Sequence, residues 1–249
     1  GVGSLTRLTA GTELEKPMLG FARELYQDAA TRVGWEQRKD DGELEVLLRS
    51  LVLAEAGLSG VEEVVRTARS LWNDHVRGKK LIPADIRSAV YLAVAHHGGE
   101  QEFEEMLALY RRTVLQEEQS RLQRGLVSFR GKKLISRAIS FTFSKEVRGQ
   151  DTALVAVSMV ATNPEAIPPL WKYIQAHWKQ ITPAQASSAI GYWGHLVEHL
   201  VSTMTDPSEL RQAIAFLKKN IWKGGERSIQ QGAEAAQANT AWKKRILKD

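Results

Sequence analysis

From Glu146 to Trp178 the sequence runs EVRGQDTALVAVSMVATNPEAIPPLWKYIQAHW, and the conformation of this stretch decides the fold class. Between Ala153 and Ala161 only Ser158 is polar, so a helix here is apolar on every side and belongs in the middle of a larger body. It is too short to cross a bilayer, which takes about 20 apolar residues. A buried strand competes, because Val155, Val157 and Val160 favour extended backbone and short apolar runs are ambiguous. Two signals favour helix: Asp151 suits an N-cap, and Asn163-Pro164 supplies a stop followed by a fresh start. Beyond it Leu170, Trp171, Ile174 and Trp178 fall on one face of a second helix. A buried helix followed by an amphipathic one implies stacked helical pairs.

The flanking sequence repeats that pattern. Residues 1–14, rich in Gly, Thr and Ser, read as a linker or boundary segment, and residues 15–249 as one helical-repeat domain. Pro17 suits the first turn of a helix carrying Phe21, Leu25 and Tyr26, closed by Gly34. From Asp41 to Ala56 a helix sets Leu44, Leu47, Leu48, Leu51 and Val52 on one stripe, with Gly57 as its stop. Ser59 and Glu62 form a capping box for the next helix, which runs to about His75. Further helices follow through Ile86, Val90 and Tyr91 to Gly98-Gly99, through Phe103 to Tyr110, through Leu122 and Leu126, and from near Lys133. Past the central stretch, Pro183–Val201, Pro207–Trp222 and Arg227–Ile246 are helical. No pair of alternating segments flanks an Asn-Gly or Asp-Gly turn. The expected class is all-α, with roughly a dozen helices in HEAT- or armadillo-like antiparallel pairs, because helix starts at Ser59, Gly99, Asn163 and Asp206 recur at a repeat-like spacing.

Composition narrows the function classes. The chain is 43% apolar and 25% charged, which is ordinary for a globular protein. The first 15 residues lack the continuous apolar run of a secretion signal. The absence of cysteine rules out disulfides and thiolate metal sites and fits a reducing, cytoplasmic setting. The net charge of +5 is the small difference of 34 basic and 29 acidic residues. Its short basic runs, at Arg77–Lys80, Arg130–Lys133 and Lys243–Arg245, sit at helix ends, where cations favour the macrodipole. No nucleic-acid partner and no membrane segment are expected.

The sharpest catalytic pattern is His195-Leu-Val-Glu198-His199, the H-x-x-E-H motif of inverted zinc peptidases. On a helix the two histidines lie one turn apart on one face, as zinc ligands must, and Glu198 suits a base. Against this, a third ligand is required, and the histidines are interleaved with Leu196, Val197, Leu200 and Val201, which read as a packing face. His96-His97 before Gly98-Gly99 reads as a helix end, where histidine meets free carbonyls. The acidic clusters Glu102/Glu104/Glu105 and Glu117/Glu118 read as solvated faces, and the seven tryptophans as core or cavity wall. No G-x-S-x-G, P-loop or G-x-G-x-x-G is present.

Several segments, in order, carry a resemblance. They are Gly34-Trp-Glu36 with Leu47-Leu-Arg-Ser-Leu-Val-Leu53, Ile82-Pro-Ala-Asp-Ile-Arg87 with Val90-Tyr91, Gln116-Glu-Glu118, Glu146-Val-Arg-Gly-Gln-Asp151, Trp171 with His177-Trp178, Glu226-Arg-Ser-Ile-Gln-Gln231 and Asn239-Thr-Ala-Trp242. From about Glu24 to Arg245 the chain resembles the C-terminal helical domain of the gluzincin zinc aminopeptidases, of the puromycin-sensitive and endoplasmic-reticulum type and including aminopeptidase N, and the last two of these segments look most like the puromycin-sensitive branch. The resemblance implies a concave α-solenoid that caps a catalytic domain, forms the wall of the peptide cavity, tunes the choice of peptide length and sequence, and takes part in opening and closing. It implies no catalytic residue and no cofactor in this chain, with zinc in a separate catalytic domain, and that catalytic domain and a peptide substrate as partners.

One departure bears on the site. The resemblance implies, for some members of that family, an arginine from the later part of this domain near the cleft, whereas no arginine lies between Lys179 and Arg211 here, and Ile190-Gly-Tyr192 stands in that region. Arg87, Tyr91 and Arg148 are the substrate-cavity candidates, with Arg148–Asp151 pairing as the structural alternative. Two other readings stand beside this one: a free-standing peptide-binding scaffold, and a metallohydrolase built on His195, Glu198 and His199.

Overall fold

The apolar run is helix, not strand. In the computed structural model, which describes residues 1–181, 190–222 and 224–246, a helix spans Gly149–Thr162 and buries Ala153, Val155, Ala156, Ser158, Met159 and Val160. Leu154 alone among its large apolar side chains is exposed. The N-cap is Arg148, in extended conformation, and not Asp151 as the sequence suggested. Asp151 sits in the first turn, where a carboxylate favours the positive end of the helix dipole. Asn163 ends the helix and Pro164 opens a single 3-10 turn, Pro164–Ala166, from which the next helix continues.

Thirteen α-helices and no strand occur among the described residues. They are α1 (Val2–Thr9), α2 (Glu15–Val33), α3 (Glu43–Ser59), α4 (Glu62–Val76), α5 (Arg87–His97), α6 (Glu100–Arg112), α7 (Gln116–Leu126), α8 (Lys132–Thr142), α9 (Gly149–Thr162), α10 (Ile167–Ala176), α11 (Ile190–Ser202), α12 (Pro207–Lys219) and α13 (Glu226–Ile246). The protein is all-α. The helix expected from Pro183 is seen as α11 from Ile190 onward; residues 183–189 lie outside the described residues.

Three local expectations are corrected. Residues 2–9, read as linker, form α1, which packs on α2. The stop of α3 is Gly60, in the left-handed region at φ 78°, so Gly57 lies inside the helix and Val61 replaces the Ser59/Glu62 capping box as the N-cap of α4. Gly57 has a different reason to be glycine. A Cβ there would stand 2.7 Å from the Ala93 methyl, so α3 and α5 approach along a glycine–alanine contact. The third correction is the α3 stripe: Leu44, Leu47, Leu48 and Leu51 face outward, and Val52, Leu53 and Ala56 form the buried side.

The chain forms two compact units, Gly1–Ala138 and Ile139–Asp249. In the first, each helix packs on the next one or two in sequence: α1 on α2, α2 on α3, α3 on α4 and α5, α5 on α6 and α7, and α6 on α7. Its core holds Trp72, Tyr91, Phe103, Met106, Leu122 and Phe129. In the second, α11 packs on α9 and α13, and α12 on α13. Trp178 centres an aromatic cluster there, with ring centroids 5.7 Å from Trp193, 6.1 Å from Trp222 and 5.3 Å from Phe216. The tryptophans at 72, 171, 178, 193 and 222 are all core.

Candidate functional site

Arg87 and Tyr91 stand one turn apart on α5, so their side chains share a face. The loop before them is anchored by Ile82 and Ile86, both buried, and by a turn in which the Ile86 N–H donates to the Pro83 carbonyl at 3.2 Å. That turn aims the Ile82 carbonyl back at Arg87, whose Nε donates to it at 2.8 Å.

Both residues converge on Glu118, in the first turn of α7. Tyr91 Oη donates to Glu118 Oε1 at 2.5 Å, and Arg87 Nη1 donates to Oε2 at 3.0 Å. Arg121, one turn further along α7, donates to the same Oε2 at 3.1 Å. Burial alone pushes the Glu118 carboxyl up, but the hydrogen bonds from Tyr91, Arg87 and Arg121, with the charge of Arg87, hold it below the usual carboxylate range. Burial first, and the bond to Glu118 second, push the Tyr91 phenol well above its ordinary value, so it remains a neutral donor. Trp72 meets the Tyr91 ring edge-on at 5.6 Å and donates its indole N–H to Glu105 at 2.9 Å. Tyr91 is fully buried, while Arg87 and Arg121 are 21% and 20% exposed. The cluster is therefore a satisfied carboxylate brace between two helices, which reaches solvent at its two guanidinium groups.

The acidic residues read as solvated faces are largely engaged. Glu118 is buried in the brace, Glu105 holds Trp72, Glu102 accepts from the Gly99 N–H at 2.8 Å, and Glu104 pairs with Arg137 at 2.6 Å. The signal for Glu118 was present in its spacing: Glu118, Leu122 and Leu126 recur at i, i+4 and i+8 and share the buried face of α7. Arg148 lies in the second unit. It is half-exposed, and its Nε donates to Asp151 Oδ2 at 2.7 Å, which is the pairing that braces the start of α9. Tyr192 on α11 is exposed.

The H-x-x-E-H residues do lie on a helix, and the interleaved Leu196, Val197, Leu200 and Val201 are its buried side. His195 and His199 face outward, with the His199 Nδ1–H donating to the His195 carbonyl at 3.0 Å and His195 Nδ1 3.9 Å from Glu198 Oε2. Among the described residues no three His, Cys, Asp or Glu side chains gather as a metal would require. The described residues thus do not fit zinc. His97 is the last residue of α5, and its Nε2–H donates to the Gly57 carbonyl of α3 at 2.8 Å, a contact between helices that ties α5 to α3. No helix among the described residues is long and apolar enough to cross a membrane.

Comparison with known proteins gives the family. The family described as ERAP1-like C-terminal domain matches residues 2–238. The chain is 26% identical to aminopeptidase M1 of Arabidopsis thaliana, over 96% of this chain and 27% of that protein. It is 25% identical to the alanine/arginine aminopeptidase of Saccharomyces cerevisiae, over 89% of this chain and 26% of that protein. With aminopeptidase N of Canis lupus familiaris the identity is 24%, over 76% of this chain and 19% of that protein. The chain spans about a quarter or less of the length of these relatives. With its helices matched almost from end to end, the chain belongs to the ERAP1-like C-terminal domain family, the C-terminal domain of M1 aminopeptidases.

Proposed function

We propose that this chain is the non-catalytic domain of a zinc aminopeptidase, capping the catalytic domain, walling the peptide cavity and tuning which peptide lengths and sequences are accepted. The observation that carries this reading is the family match over residues 2–238, alongside relatives that are aminopeptidases about four times as long. In this reading the zinc belongs to the catalytic domain, the partners are that domain and the peptide, and the setting is cytoplasmic, in keeping with a sequence free of cysteine. The sequential packing of α1 to α7 supports a solenoid arrangement, whose concave face supplies the wall. Arg87, partly exposed at the Glu118 brace, and Arg148, half-exposed at the head of α9, are the cationic candidates for contact with peptide carboxylates or carbonyls. Tyr91 acts behind Arg87 by fixing Glu118. Movement between an open and a closed state accompanies substrate entry.

The test is to measure hydrolysis of a peptide length series by the catalytic domain with and without this chain. A changed length preference on adding the chain supports the reading, and an unchanged one removes it. A peptide-binding scaffold is the second reading, favoured by a groove of about 510 Å³ between α12 and α13, lined by Ile214, Lys218, Ile221, Ile229 and Ala233. Peptide binding by the isolated chain, with no effect on the catalytic domain, selects it.

A further inference from the structure

Two segments at one end of the first unit carry the same kind of sequence. After α4 comes Arg77-Gly-Lys-Lys-Leu81, and from the last turn of α6 to the start of α7 runs Arg111-Arg-Thr-Val-Leu115. Each is a run of cations followed by aliphatic side chains. Arg77, Lys79, Lys80, Arg111 and Arg112 are all exposed, and Leu81, Val114 and Leu115 are 72%, 91% and 68% exposed. Residues 77–84 and 111–116 contain no acidic and no aromatic side chain.

The roots of the two segments meet at the Glu118 brace, which holds them side by side. Gly78, in the left-handed region at φ 70°, turns the chain out of α4, and the Lys79 N–H donates to the Asp74 carbonyl at 2.8 Å. Ile82 is buried, its N–H donating to His75 Nδ1 at 3.4 Å and its carbonyl accepting from Arg87. Arg87 in turn reaches Glu118, three residues beyond Leu115, the N-cap of α7. Burial first, then the charge of Arg87 and more weakly that of Arg112, lower the His75 imidazole, so the end of α6 stands close to the first segment. The acidic groups at this end are paired or set back. Glu117 pairs with Arg121, Glu118 is enclosed in the brace, and Asp74 and Asp85 are partly buried.

We infer that this end of α4 to α7 is a docking surface for an anionic lipid bilayer. Its five cations meet the lipid phosphates and carboxylates, while Leu81, Val114 and Leu115 enter the headgroup boundary. A cluster of about four to eight cations at a surface is what an anionic leaflet attracts. Aliphatic side chains among the cations add the apolar contact that anchors a peripheral protein, and that a purely electrostatic partner does not use. A nucleic acid is the poorer fit, because neither segment offers a ring for bases to stack on.

The test is sedimentation of the 249-residue chain with vesicles of phosphatidylcholine alone and of phosphatidylcholine mixed with phosphatidylserine. Partitioning onto the mixed vesicles should exceed that onto the neutral ones by about tenfold or more, and should weaken with salt. Lys79→Glu with Lys80→Glu should lower it by about tenfold or more. Leu81→Ser with Val114→Ser should lower it too, with binding to heparin unchanged. Both pairs are exposed and lie outside the brace, and circular dichroism checks that each variant folds. Equal partitioning onto the two kinds of vesicle would overturn the inference. So would full vesicle binding by the Leu81→Ser, Val114→Ser variant, which would make the surface a site for polyanions at large. Binding by this chain that disappears in a longer polypeptide containing the catalytic domain would also overturn it. None of these outcomes touches the proposed function, which is read from peptide hydrolysis.

Discussion

Tyr91 and Glu118, 27 residues apart in sequence, share a 2.5 Å hydrogen bond that joins the middle of α5 to the first turn of α7. The phenol is the neutral member of a carboxylate brace whose other donors are Arg87 and Arg121. Tyr91→Phe removes one charge-assisted bond and is expected to cost about 1.5–3 kcal/mol. Glu118→Ala leaves two guanidinium groups without their shared partner. Loss of one member of a buried pair costs about 3–5 kcal/mol, and partial exposure of both arginines places this case near the lower limit. Urea unfolding at pH 7 measures both, and a Glu118→Ala loss smaller than the Tyr91→Phe loss would contradict the brace.

Acid is expected to destabilise the first unit in two windows. Burial, with the neighbouring His97 and Arg130, lowers His96 to about 3, and burial also lowers His75 and His97. An unfolded histidine titrates near 6.5, so between about 6.5 and 3 the unfolded chain binds more protons than the folded one. The stability contributed by a neutral His96 is full above that window and is lost as pH falls through it. Glu118 adds a second loss at lower pH, present above the ordinary carboxylate value of about 4.3 and lost as pH falls through its depressed folded value. Unfolding free energies between pH 7 and 5 should therefore decline in the wild type and decline less in His96→Gln. Parallel curves for the two proteins would refute the assignment.

Two glycines should respond with opposite signs. Gly57→Ala forces a methyl to within 2.7 Å of Ala93 in a filled core and is expected to destabilise by about 1–3 kcal/mol. Gly20 lies inside α2 with open space where its Cβ would stand, so Gly20→Ala should stabilise by up to about 1 kcal/mol. Thermal unfolding of the pair checks the close approach of α3 to α5.

Much of this fold was legible in the sequence because helix punctuation is local. Asn163-Pro164, Asp206-Pro207 and Gly98-Gly99 each mark a helix boundary within a residue or two of the observed one. The misreadings came from tertiary context. Gly57 looks like a stop until Ala93 is placed against it, and Ser59/Glu62 looks like a capping box until Gly60 turns left-handed. The α3 stripe has the periodicity of a core face, and periodicity reports amphipathicity without saying which body covers the face. For the candidate site, the sequence indicated Arg87 and Tyr91 but not their common partner, because a glutamate beside another glutamate reads as solvent-facing until its helical phase with Leu122 and Leu126 is counted. Arg148–Asp151 was visible as a possible pair, since i and i+3 residues of a helix start are neighbours.

The cap of α12 offers a local check. Asp206 Oδ1 accepts from the backbone N–H groups of Ser208 at 2.9 Å and Glu209 at 2.8 Å, and Pro207 supplies the first helical residue. Asp206→Ala should cost about 1 kcal/mol, and Asp206→Asn much less. Denaturant midpoints of the two variants separate the cap from a general surface effect.

We propose that this chain shapes aminopeptidase activity without performing it. That is tested most directly by assaying purified 249-residue chain for bound zinc and for peptide turnover, alone and combined with the catalytic domain. The account predicts no stoichiometric zinc and no turnover alone, and an altered peptide-length preference in the combination. Near-stoichiometric zinc with turnover in the isolated chain, both lost on His195→Ala, would contradict it.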